Sequence, residues 1–160
     1  MEILARRGAH VTSLSVKEVN DIFAIRGALI ALAVSLATPL LTEEDIARVR
    51  KWVDQMSTTW SEGGSTEEYV PHSYRISLFL SRRCQNERLF EMIRSMSRQT
   101  LRYSHLGLSS PKRRERSVRI WNDLVDALEN RDDVRASDLA ECLIRESGEA
   151  ARKQLLSEQV

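Results

Sequence analysis

Apolar residues return every three to four positions through most of this chain, and the gaps between such stripes are short. From about Val16 to Ala37 the stripe is Val19, Ile22, Phe23, Leu29, Ile30 and Ala33, the spacing of one helix face. Ser15 followed by Glu18 reads as a capping box at its head, and Thr38-Pro39 closes it. A second helix opens at Thr42-Glu43-Glu44-Asp45, with acids at the positive end of the helix dipole. It carries Ile46, Val49, Val53, Met56 and Trp60 and stops at Gly63-Gly64. A third is expected from about Thr66 to Leu80 or slightly beyond. Pro71 in its first turns argues for a later start, because proline removes a backbone donor. Asn86 caps a fourth helix with the stripe Leu89, Met92, Ile93, Met96 and Tyr103.

After a loop at 107–111, Pro111 suits the first position of a fifth helix, which bears Val118, Trp121, Leu124, Val125 and Leu128. The chain turns at 130–132, and a last helix holds Leu139, Cys142, Leu143, Ala150 and Leu155. About six helices with short links predict an all-α antiparallel bundle. Residues 2–12 break the pattern: Glu2-Ile3-Leu4 and Ala9-His10-Val11-Thr12 flank Arg7-Gly8 as in a short β-hairpin.

Composition agrees with helices. Three prolines and six glycines in 160 residues are too few for a turn-rich β protein. The 24 basic and 23 acidic residues nearly cancel, which argues against a nucleic-acid grip by the bulk of the chain. The local basic run at 112–119 reads as a solvated helix start. Cys84 and Cys142 form no CxxC pattern, no unbroken apolar run approaches the ~18 residues of a membrane span, and the first residues lack the apolar stretch of a signal peptide. The expected location is the cytoplasm. No His-Glu-x-x-His, Gly-x-Ser-x-Gly or phosphate loop is present, so nothing points to an enzyme.

Several stretches, in order, resemble the FCD ligand-binding domain of the FadR subfamily of GntR transcription regulators, from about Leu14 to Leu156. They are Leu14-Ser15-Val16-Lys17-Glu18-Val19 leading to Phe23-Ala24-Ile25-Arg26, and Leu41-Thr42-Glu43-Glu44-Asp45. Cys84-Gln85-Asn86-Glu87-Arg88-Leu89 is similar to the family's turn before the fourth helix, and 123–132 to its late helix and following turn. The resemblance implies a domain at 14–160 that binds a small effector and forms a homodimer. Residues 1–13 are similar to the end of a winged-helix domain, with Arg6 and Arg7 at the tip of its DNA-contacting wing. The recognition helix would lie upstream of Met1, so DNA would be met only through a domain outside this chain.

Many members of this family hold a divalent cation with an Asp-x-x-x-His pair and two later histidines. Those positions align here with Ser73, Ser77, Trp121 and Cys142, or Leu143 if the register slips by one. Hydroxyls and an indole do not replace carboxylate and imidazole, and His10, His72 and His105 share no ligand spacing. No metal and no other cofactor is therefore expected. Ser73 and Ser77 are placed to bond an effector or a water, or else their own backbone carbonyls one turn back. Trp121 either fills the space a metal would take or is plain core. Arg26 falls on an apolar stripe and needs a partner: an acidic side chain, or the carboxylate of an effector gripped together with Arg102. The leading expectation is a sensor of a small organic acid that works without metal; the alternative is a metal-free structural dimerisation module with no effector.

Overall fold

A computed structural model describes residues 13–158; the expected hairpin, with Arg6 and Arg7, lies outside them. Six α-helices follow one another: α1 (Val16–Ala37), α2 (Glu43–Ser61), α3 (Thr66–Arg82), α4 (Glu87–Gly107), α5 (Pro111–Glu129) and α6 (Asp133–Ser157). A single 3-10 turn, Thr38–Leu40, links α1 to α2, and no strand occurs among the described residues. The all-α bundle read from the periodicity is the observed architecture.

Each helix begins where a side chain can take over its first free N–H groups. Ser15 with Glu18, Thr42 with Asp45, and Ser65 with Glu68 form capping boxes. Asn86, Ser110 and Asp132 cap the other three, with Pro111 in the first turn of α5. The Ser65 box fixes the start of α3 at Thr66, so Pro71 does not delay it. Pro71 is exposed, as is Glu67, whose carbonyl would have taken the missing N–H bond and is left to solvent at little cost. Between α5 and α6, Arg131 adopts φ 57° and sends its guanidinium to the carbonyls of Thr38 and Leu41, tying this turn to the 3-10 link.

The longest packing contact is α1 against α6. It is antiparallel: Phe23 meets Gly148, Gly27 meets Glu141 and Ile144, and Ser137 donates to the carbonyl of Ala31. Helix α4 lies on both of them, α3 on α4 and α1, and α2 bridges α3 and α5. Val19, Phe23, Ile30, Ala33 and Val34 from α1 join Ile93, Leu124, Leu128, Leu143 and Ala151 in one core. Met92, expected on the inward face of α4, is half exposed (50%); the buried row there runs through Ile93, Ser97, Thr100 and Tyr103. Nor is the basic run at 112–119 uniformly solvated, because Arg114 is buried and Arg113 largely so.

An 18-residue segment within Val16–Leu40 does reach the length and apolarity of a membrane-spanning helix, a property hidden from a search for unbroken apolar runs by Arg26 and Ser35. Half of that segment is buried inside the bundle, as befits a core helix.

Two glycines set how closely the helices approach. A Cβ on Gly148 would lie 2.6 Å from Cβ of Phe23, and one on Gly107 would lie 2.3 Å from the carbonyl oxygen of Ser147. At Gly27, by contrast, the nearest atom would be 3.6 Å away. Gly148→Ala is therefore expected to cost about 1–3 kcal/mol through overpacking. Gly27→Ala should be neutral or stabilising by up to about 1 kcal/mol through helix propensity. Urea unfolding of the two variants checks both.

Candidate effector cavity

The interior between α1, α3, α4, α5 and α6 is not solid. A cavity of about 30 Å³ is lined by Arg26, Ser73, Tyr74, Leu101, Ser104 and Ser117, with Trp121, Leu143, Ile144 and Ser147 completing the wall. That is room for one or two waters. A smaller void of about 10 Å³ lies beyond it, bordered by Ser77, Ile30, Val34 and Leu80. Trp121, Leu143 and Ile144 line both spaces, so the indole stands between the two serines. Leu101, the one exposed lining residue (37%), marks the outer side of the larger cavity.

Arg26 dominates the electrostatics. It is only 5% exposed, in the middle of α1. Its Nε donates to Ser97 Oγ at 3.1 Å, and its guanidinium lies 5.9 Å from the Phe23 ring centre. No acidic side chain pairs with it among the described residues; every ion pair there involves other cations. Burial pulls its pKa down to about 10, opposed by Tyr74. The terminal nitrogens carry no hydrogen bond from the described residues, and they belong to a side chain that lines the cavity. Of the two partners the sequence left open for Arg26, the acidic side chain is not found among the described residues.

Thr38, Ser57, Ser81 and Thr100 each donate to the carbonyl four residues back. Ser73 and Ser77 make no such bond among the described residues, and each lines one of the two spaces. Trp121 is 2% exposed, and its Nε1–H has no acceptor among the described residues.

Two residues expected at the site lie elsewhere. Arg102 is exposed, stacked 5.9 Å from the Tyr103 ring. The cavity-facing positions of α4 are Leu101, Ser104 and Leu108, and Arg102 is about 100° around the helix from Leu101. Cys142 is half-buried beside Glu146, its Sγ 3.2 Å from Oε1, and burial pushes its thiol pKa up. Leu143, not Cys142, lines the cavity.

Sequence reasoning missed Ser117, Ser147 and Arg113. Arg113 Nη2 reaches the carbonyl of Leu143 (3.4 Å) and Ser147 Oγ (3.3 Å), and its Nη1 lies 3.7 Å from Glu146. Burial lowers its pKa, and Glu146 opposes the shift. The available signal was the spacing Arg113, Ser117, Trp121, one row at i, i+4, i+8 on α5.

A divalent cation does not fit these residues. The positions that align with the family's ligands offer two neutral hydroxyls, an indole with no lone pair to give, and a single cysteine or a leucine. Arg26 already places a positive charge in the same cavity, and the described residues contain no group of three His, Cys, Asp or Glu able to hold a metal.

Comparison with known proteins accords with the fold. The FCD domain profile matches residues 21–146. Among solved structures, E. coli McbR/YncC superposes with a TM-score of 0.77 at 19% identity, over 92% of this chain and 72% of that one. Lar, which controls the expression of the Listeria monocytogenes agr system and mediates virulence, superposes at 0.73 with 14% identity, over 88% of this chain and 66% of its own. No curated protein matches significantly by sequence. The chain therefore belongs to the FCD family and is a regulatory, non-enzymatic domain of the GntR-type transcription regulators.

Proposed function

We propose that this domain senses a small organic acid without the help of a metal, and that Arg26 grips the acid's carboxylate. The observation that carries the reading is the buried guanidinium itself. An ionised group held in the interior without a counter-charge is costly, and a bound carboxylate removes that cost through paired, charge-assisted hydrogen bonds. Ser73 and Ser104 offer further donors around the same space. Arg102 and Cys142 have no part in this reading, because their side chains lie away from the cavity.

The cavity is too small to admit an acid without some displacement of its walls. That suits a sensor, since a ligand shifts a conformational equilibrium only where it favours one arrangement over the other. Small volume also favours the rival reading, a structural module whose core is plugged by Trp121. A homodimer is part of the proposal, and the outer face of α1 supports it. Every exposed position from 24 to 36 is apolar: Ala24, Ile25, Ala28, Leu32 and Leu36. They form a stripe about 18 Å long, an unusual surface for a monomer in water. In this reading DNA is met by a winged-helix domain joined at the N-terminal side, and the assembly works in the cytoplasm.

Arg26→Met keeps the bulk of the side chain and removes its charge. The variant is expected to be at least as stable as wild type, with a gain of about 1 kcal/mol or more, or roughly 2–4 °C in Tm. It should also lose all thermal protection by short carboxylic acids. Acids that fail to protect wild type at millimolar concentration would favour the structural module. For the dimer, Leu32→Asp combined with Leu36→Asp should convert the particle to a monomer in sedimentation velocity while the helical circular dichroism persists.

A further inference from the structure

The wall of the larger cavity is uneven, and its thin side lies on one seam. Eight of the lining residues are buried, none of them more than 8% exposed. The four that reach solvent are Ser73 and Tyr74 on α3 and Leu101 and Ser104 on α4. These two helices run antiparallel, and the contact between them is pinned at both ends. At the α3–α4 turn, Arg82 Nη1 meets Glu87 at 3.3 Å, and the Arg82 guanidinium lies 4.7 Å from the Phe90 ring centre. At the far end, Thr66 Oγ1 donates to the carbonyl of Leu108 (3.4 Å), and the buried Arg114 donates to both Thr66 Oγ1 and that carbonyl at 2.8 and 2.9 Å. Between these pins no hydrogen bond or ion pair crosses from α3 to α4 among the described residues. The α3 ladder is also one bond short beside the seam, because Pro71, three residues before Tyr74, has no N–H to offer the carbonyl of Glu67. A stretch held by packing alone, next to a weakened turn, is where local opening costs least.

We propose that Tyr74 and Leu101 are the gate of the cavity: their side chains swing aside between the two pinned ends, and small molecules pass through the α3–α4 seam without the helices parting. Of the four seam residues these are the bulky pair; the side chains of Ser73 and Ser104 are too small to close the gap. Leu101 is the looser of the two. It is 37% exposed, so packing on one side only resists its change from one staggered rotamer to another. The hydroxyl of Tyr74 makes no hydrogen bond among the described residues, and the ring is held by its contacts alone. The gate concerns access and holds whatever molecule the cavity takes, so it does not depend on the carboxylate reading of Arg26.

Chemical access to the inner wall tests this. Ser117→Cys places a thiol on α5 in the cavity wall, where the native side chain is 2% exposed. The purified chain is treated with methyl methanethiosulfonate, a small neutral probe, and the labelling rate of each thiol is read by peptide mass spectrometry. Cys84 is the internal control, since it is 5% exposed and lines neither internal space. Leu101→Ala should speed labelling at position 117 about tenfold, because the deleted carbons no longer resist opening. Leu101→Trp should slow it by a similar factor, and Cys84 should keep its rate in both. Ser147→Cys on α6, 8% exposed in the same wall, is a second reporter and should respond alike. Rates at 117 and 147 that ignore both substitutions, or that change in step with Cys84, would overturn the gate and show that the interior is reached only by wider unfolding.

Discussion

One constraint organises the interior: α1 is clamped too closely to its neighbours for Arg26 to leave. The helix lies along α6, where Gly148 allows Phe23 to approach, and against α4, where Ser97 holds the Arg26 Nε. An arginine usually escapes burial by extending its long stem toward water. Here the stem begins on a buried position of a helix covered by α3, α4 and α6, so the guanidinium ends in the bundle beside Ser97 and the Phe23 ring, with no acidic partner among the described residues.

The same charge bears on the family's cation, which these residues do not fit. A carboxylate-and-imidazole cage supplies negative charge and lone pairs, and its metal then presents a positive centre to a ligand. At the positions that align with that cage this chain carries hydroxyls, an indole and a cysteine or leucine, and Arg26 lines the same space. The two arrangements offer a similar surface to an anion, one through a metal and one through a side chain. They differ in what each does when empty. An ion takes its ligands' charge with it when it leaves, whereas Arg26 stays and must be tolerated, and its pKa is drawn down accordingly.

Much of the fold was legible because the signals are local. Capping residues lie within three positions of the N–H groups they satisfy, and the apolar rows of α2 and α5 follow helical periodicity without interruption. Ser65 shows the limit: its capping box outweighs Pro71, and the outcome depends on Pro71 facing solvent, which only the bundle decides. Met92 failed because α4 has polar residues, Ser97 and Thr100, on its buried row, so the apolar pattern alone points slightly off the inward direction. Arg26 was visible as a charge on an apolar stripe, but its missing acid was not, because a partner can come from any helix. The Arg102 and Cys142 positions turned on one residue of helical register, about 100° of rotation, finer than spacing arguments resolve. Ser117 and Arg113 were overlooked because serine and arginine near a helix start look like ordinary surface residues until α3 and α6 close over them.

Helix α1 has two faces with opposite problems. Inward it carries a charge without a counter-ion; outward, between 24 and 36, it carries apolar side chains without a cover. Both are stability costs a monomer in plain water would be expected to shed, and a protein keeps such costs where function needs them. On the reading proposed above, the two deficits are relieved by different molecules, an acid inside and a second copy of the chain outside. Because both act on one rigid helix, a shift that makes room for the acid at Arg26 also moves Ile25, Leu32 and Leu36 on the other side. No longer pathway is required: a single helix thickness separates the place where the ligand would bind from the surface where the partner would rest.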